Sequence, residues 1–243
     1  MTAKRVPTGM DMLDGIIGGG FRPGKNYLLS GEAGTGKTIF GLQFLVKGFD
    51  LGESGVYVTV DEKPSDVIED ANSFGFDFEE RIAQNNLLIL DYSSHFDQLR
   101  DKSKEIDVRK IVGDLNKYLK EINAKRLVID PIAPFIVKDE TIWEIRRYIR
   151  ALFYSLDSLD CTSVLTSAIP TGTNQLSQYG IEEFYASGVI LLSIRQLEKM
   201  QYRRIIFVRK MRGTPYELEP YVFDFEYGKG IVIQRKLSEE YVF

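Results

Sequence analysis

The chain reads as an α/β protein: a mostly parallel sheet flanked by helices, with a C-terminal antiparallel extension, in one domain over residues 1–243. Three observations predict this. Strand-like apolar runs alternate with helix-period segments through the first two thirds, the pattern of parallel strands joined by crossover helices. Residues Gly31-Glu32-Ala33-Gly34-Thr35-Gly36-Lys37-Thr38 match the phosphate-loop pattern G-x-x-x-x-G-K-[ST]. Beyond residue 188, short strand runs follow one another across short turns, which suits antiparallel pairing.

The elements follow in order. Asn26 to Ser30 is a short apolar strand leading into the loop, and Thr38 to Val46 has helical apolar spacing after it. This strand–loop–helix context is what distinguishes a phosphate loop from a chance glycine-rich turn. Gly55 to Val60 is a buried strand ending in Asp61-Glu62, and Pro64 opens a helix running to about Ser73. Leu87–Asp91 and Arg126–Asp130 are strands, with a helix from about Val108 to Ile122 between them. A helix from about Thr141 to Leu156 precedes a strand over Thr162–Ser167. Val189–Ile194, Arg204–Val208, Tyr221–Phe225 and Ile231–Gln234 are the short strands of the extension. Segment 91–107 is the least patterned stretch and is expected to be a mobile loop. No linker, repeat or composition break divides the chain.

Composition narrows the class. Apolar residues make up 44% of the chain, enough for a substantial core. No apolar run approaches the roughly 20 residues a membrane-spanning helix needs. The N-terminal residues lack an apolar signal region. The single cysteine, Cys161, cannot form an internal disulfide and fits a reducing compartment. The expected location is therefore cytoplasmic, without membrane association. A net charge of −4 argues against the whole surface binding nucleic acid. The charge is uneven, however: Arg195, Lys199, Arg203, Arg204, Arg209, Lys210 and Arg212 cluster against one acid, Glu198.

The loop's chemistry can be named. Its glycines let successive N–H groups converge on nucleotide phosphates, Lys37 supplies a point charge to the β- and γ-phosphates, and Thr38 is placed to ligate Mg²⁺. A second carboxylate-bearing strand end is needed to hold the metal's water shell, and Leu127-Val128-Ile129-Asp130 supplies it. Hydrolysis also requires a carboxylate to orient water. Pro131 follows Asp130, so the nearest source is Asp61-Glu62; ends of adjacent parallel strands open on one crevice. Spacing leaves both acids open. Lys210 and Arg212 point the same way on a strand beside Thr214. From chemistry alone the basic cluster fits a solvated hairpin, a nucleic-acid patch or cations aimed at phosphate.

Val6 to Asp14 followed by Gly18-Gly19-Gly20, Gly55 to Pro64, Ser73-Phe74-Gly75-Phe76-Asp77, Gln178 to Phe184 and Lys210-Met211-Arg212-Gly213-Thr214 together carry a resemblance. They span nearly the whole chain in a fixed order. The chain resembles a single-domain member of the KaiC-like branch of the RecA-type ATPases. The resemblance implies a RecA-like P-loop NTPase core and a ring, usually hexameric, with ATP and Mg²⁺ held between subunits. Ala33, Gly34, Thr35, Gly36, Lys37, Thr38 and Ile39 would bind ATP within the subunit, with Thr38 and, through water, Asp130 at the metal. Ser73, Lys210, Met211, Arg212, Thr214 and Tyr216 would reach the nucleotide of the neighbour. Asp61, Glu62 and Lys37 are the catalytic candidates. Nucleotide state would then set assembly or the binding of a protein partner.

Three departures stand out. The family usually carries two glutamates where this chain has Asp61-Glu62, and a histidine where it has Tyr216. The stretch that bears a phosphorylated Ser-Thr pair in two-domain KaiC reads Glu182-Glu183-Phe184, so that cycle is not expected. Two alternative functions share the core: a recombinase- or helicase-type DNA ATPase, and a scaffold that holds ATP without turnover. Residues 169–181 contain no Lys or Arg, which weighs against DNA. His95 lacks metal-ligand partners, Trp143 is expected to pack on its amphipathic helix, and Cys161 to be a small buried residue. Tyr227 could stack on an adenine.

Overall fold

The computed structural model describes residues 4–93, 107–136, 141–197 and 201–241. Nine strands form one sheet: β1 (Asn26–Gly31), β2 (Gly55–Thr59), β3 (Leu87–Asp91), β4 (Arg126–Asp130), β5 (Thr162–Ala168), β6 (Gly188–Gln196), β7 (Tyr202–Met211), β8 (Pro220–Glu226) and β9 (Gly230–Lys236). Their order is β3-β2-β4-β5-β1-β6-β7-β8-β9. The first six strands pair in parallel, and β6 through β9 form antiparallel hairpins. This is the mixed architecture expected from sequence.

Helices cover both faces. On one face α1 (Asp11–Ile16), α2 (Lys37–Asp50), α3 (Pro64–Ser73) and α4 (Phe78–Ala83) bury Leu13, Phe40, Val67 and Phe78 in a common core. On the other, α5 (Val108–Glu121), α6 (Ile142–Asp157) and the four-residue α7 (Glu182–Tyr185) pack through Ile111, Leu115, Ile149 and Leu152. β1, β2, β4 and β5 are buried along nearly their whole length, which is why they do not read as alternating strands.

Local chemistry fixes the helix starts. Asp107 caps α5 by accepting from the Arg109 amide at 3.0 Å. Thr141 and Glu144 form a reciprocal capping box on α6, and Pro64 occupies the first turn of α3. α2 has no such device. Its N-cap is Gly36, at φ +99° and without a side-chain cap, so its first amides have no side-chain acceptor.

α1, α4 and α7 were not anticipated, each being shorter than two helical turns and so too short for an apolar face to repeat. Trp143 does not pack as expected: it is 76% exposed on the outer side of α6, since Ile145, Tyr148 and Ile149 occupy the buried stripe. Cys161 is buried as expected, and burial pushes its thiol up to about 11. Most of the expected mobile loop (residues 94–106), with His95, and Lys199 of the basic cluster lie outside the described residues.

Candidate nucleotide site

The site is built at the carboxyl ends of β1, β5, β4 and β2, where a parallel sheet opens its crevice. β5 lies between β1 and β4, so the phosphate loop and Asp130 meet across its end. Asp130 is the hub. The hydroxyls of Thr38 and Tyr57 donate to its Oδ2 at 2.8 and 2.7 Å, and Thr166 donates to Oδ1. Thr38 comes from α2, Tyr57 from β2 and Thr166 from β5, so three elements aim one carboxylate. Tyr57 is almost wholly buried; desolvation, then the Asp130 charge, holds its phenol well above its ordinary value. It remains a hydrogen donor throughout the physiological range.

Lys37 folds over the loop and donates to the carbonyls of Gly31 and Glu32 at 2.9 and 2.8 Å. Burial lowers its pKa and the Asp130 charge partly restores it. Thr35 is buried and braces the turn by donating to the Glu32 carbonyl at 2.8 Å. Ala33 and Gly34 stand exposed on the loop's outer side, and the Ile39 side chain is buried in the core. Gly36 lies under the Phe225 ring so closely that a Cβ there would fall 2.7 Å from Phe225 Cζ.

Asp61 and Glu62 follow β2, whose Thr59 pairs with Asp130 of β4. Thr59 anchors this turn, its hydroxyl donating to the Glu62 carbonyl at 2.6 Å. The Glu62 side chain is exposed, yet its pKa is raised by desolvation and then by Asp130 and three further acids, Asp70, Asp66 and Asp61.

Lys210 and Arg212 lie elsewhere. Met211 pairs with Gly188, which pairs with Tyr27 near the start of β1, whereas the phosphate loop follows Gly31 at its end. Four residues of strand, at about 3.3 Å each, put roughly 13 Å of sheet between the two ends. Lys210 Nζ donates to the Glu183 carbonyl at 2.6 Å, and Arg212 to the Phe184 carbonyl at 2.6 Å. Desolvation, then the neighbouring Arg212, lowers the Lys210 pKa to about 8. The Met211 side chain is buried, so only its main chain is on the same side as the cations. Thr214 is also buried; its hydroxyl accepts from Arg5 at 2.8 Å. Tyr216 donates to the Arg209 carbonyl at 3.1 Å. Ser73, at the end of α3, donates to the Asp70 carbonyl at 2.7 Å. Tyr227 is 79% exposed in the β8–β9 turn, its ring against Gly75.

The basic cluster therefore divides. Arg204 pairs with Asp224 at 2.9 Å and lies 4.6 Å over the Phe225 ring, which ties it to the sheet rather than to an open patch.

Sequence reasoning missed Tyr57, Thr166, Arg5 and Glu182. Neither Tyr57 nor Thr166 has an acid within three residues in sequence, so nothing local marked them as partners of Asp130. Nothing local marked Arg5, whose partner lies 209 residues away.

The family described as ATPase: KaiC matches residues 6–238. The chain belongs to the KaiC ATPase family. The circadian clock oscillator protein KaiC of Prochlorococcus marinus subsp. pastoris is 35% identical over 215 residues, covering 88% of this chain and 42% of that protein. That of Thermostichus vulcanus is 31% identical over 229 residues, covering 94% and 44%. The chain thus spans less than half the length of these KaiC relatives. A crystal structure of a KaiC-like protein from Pyrococcus horikoshii superimposes with a TM-score of 0.81 at 36% identity, covering 96% of this chain and 99% of the other. A P-loop ATPase domain of the KaiC type accounts for the site at the loop and Asp130.

Proposed function

We propose that this chain is a Mg²⁺-dependent ATPase that forms a ring, with each ATP held by the phosphate loop of one subunit and by Lys210 and Arg212 of the next. The observation that carries this is positional: the two cations sit at the far end of the sheet from their own loop. Roughly 13 Å of sheet separates their strand positions from that loop, whereas a neighbour stacked side by side could present its loop to them.

The residues at the loop fit the nucleotide and metal. The α2 N-terminus, without a side-chain cap, presents amides to phosphate, and Lys37 can leave two carbonyls for phosphate oxygens. Among the described residues no group of three or more metal-ligating side chains occurs. That fits Mg²⁺, which keeps several waters and takes one or two protein oxygens beside the phosphates. Thr38 would supply a direct oxygen, and Asp130 would orient a water. When bound, the ion neutralises charge developing on the transferred phosphoryl group.

Glu62 would orient and deprotonate the attacking water. Its raised pKa matches that role, and Asp61 would be the lesser contributor. Ser73, Thr214 and Tyr216, with the main chain of Met211, would complete the trans contacts. A single domain acting this way would regulate assembly or partner binding through its nucleotide state.

Subunit mixing tests the reading. Lys37→Ala should abolish ATP binding, and Glu62→Gln should stop turnover while sparing binding. Lys37→Ala and Arg212→Ala subunits, each inactive, should regain activity when co-expressed. No regain in a mixed assembly would overturn the shared site.

A further inference from the structure

The sheet has a strut that no nucleotide role uses. Glu182, at the start of α7, is completely buried, with 0% exposure. Its Oε1 accepts from the Ser167 hydroxyl at 3.3 Å and its Oε2 from the Ile181 amide at 3.2 Å; the Ser177 hydroxyl, 2.7 Å from that Oε2, shares its one hydrogen between Glu182 and Glu183 Oε2. The Tyr179 amide reaches both oxygens at 3.3 Å. Ser167 belongs to the loop end of the sheet, since it pairs with Ser30 one residue before the phosphate loop begins.

Five residues later the chain is at the other end, where the Ser187 amide donates to the Asn26 carbonyl. The stretch from Glu182 to Ser187, which includes α7, therefore leads from the loop end of the sheet towards the cation end. Its carbonyls at Glu183 and Phe184 are the acceptors that hold Lys210 and Arg212. On the far side Phe153 of α6 packs against Tyr185 at 6.3 Å. A four-residue helix has little stability of its own, so its position depends on what fastens its ends.

We propose that Glu182 is a positioning residue for the trans cations: by tying the head of α7 to the end of β5, it fixes the two carbonyls that aim Lys210 and Arg212. This rests on the shared-site function proposed above. A carboxylate suits the post because it accepts on every side. Glutamine has the same shape, but in either orientation its NH₂ would face the Tyr179 amide and remove one of the two acceptors that amide reaches.

The experiment compares Glu182→Gln with the milder Ser177→Ala in the full chain. Both should lower kcat, by up to about 100-fold for Gln if the cations move by an ångström, with the KM for ATP little changed. Co-expression with Lys37→Ala subunits should restore turnover, and co-expression with Arg212→Ala should not. The reverse pattern, or unchanged kcat in both variants, overturns the proposal.

A second readout does not depend on the ring. The pH profile of Lys210 acetylation by acetic anhydride, followed by mass spectrometry, should have its midpoint at about 8 in the parent chain. It should move upward, towards an ordinary lysine, in Glu182→Gln if the amine is released to water. An unmoved midpoint overturns the strut even where mixing of Lys37→Ala with Arg212→Ala has failed. If Glu182→Gln does not fold, Ser177→Ala carries both measurements.

Discussion

Replacing Gly36 by alanine tests the phosphate loop where backbone and packing act together. Gly36 sits at φ +99°, and an added Cβ would lie 2.7 and 2.9 Å from two carbons of Phe225. The left-handed backbone costs an L-residue about 1–2 kcal/mol. The ring cannot simply swing away, because Phe74 and Phe223 pack at 5.6 and 5.8 Å and Arg204 stacks at 4.6 Å. Forcing extra volume there costs roughly 1–3 kcal/mol. Gly36→Ala should therefore destabilise the chain by roughly 3 kcal/mol, lowering Tm by about 6–12 °C in a domain of this size. The amides of the first turn of α2 move with it, so ATP affinity should fall at least about tenfold, equivalent to about 1.4 kcal/mol. Thermal unfolding and ATP titration of Gly36→Ala, Phe225→Leu and the double variant separate the two causes in a thermodynamic cycle. The packing part should be recovered in the double variant and the backbone part should remain. Unchanged Tm and affinity in Gly36→Ala would refute the reasoning, and full recovery would remove its backbone half.

Two further outcomes follow from charge. The Lys210 cation is lost as pH rises through about 8, so kcat/KM should fall on that limb, and Lys210→Arg should move the fall to higher pH. Unfolding should not be its cause. A lysine whose folded pKa lies below its ordinary value of 10.5 binds fewer protons folded than unfolded between about 8 and 10.5, so its contribution to stability rises there. Arg126 is wholly buried, donating to Glu53 at 2.8 Å and to the Pro7 and Phe44 carbonyls at 2.7 Å. Glu53→Gln should remove its paired carboxylate, leaving only the charges of Asp14 and Asp50 to act on it, and cost about 3 kcal/mol in denaturant unfolding.

Much of the architecture was legible because buried parallel strands advertise themselves. Leu87–Asp91 and Arg126–Asp130 were read with the bounds the structure gives. β7 was read short, as Arg204–Val208, because its ends carry exposed or half-buried residues such as Tyr202, Arg203 and Arg209 that break the apolar run. Trp143 was misplaced because amphipathic spacing shows that a helix has a buried face but not how wide it is. At the site, the loop and Asp130 were legible as types at spacings, whereas Tyr57 and Thr166 were not, since their role exists only once β2 and β5 flank β4.

The sequence alone determined the α/β class, the phosphate loop and the acid that accompanies it. Those depend on contiguous residues, whose backbone and side-chain chemistry are set locally. Tertiary structure decided which ends of the sheet the parts occupy. Lys210 and Arg212 are far from their own loop because β7 runs antiparallel to β6, the last parallel strand, and so ends beside the start of β1. It also decided that Glu182, one of two adjacent acids in a polar stretch, is buried and bonded at one end of the sheet while its helix holds the cations at the other. Strand order and direction come from long-range burial, and no local pattern encodes them.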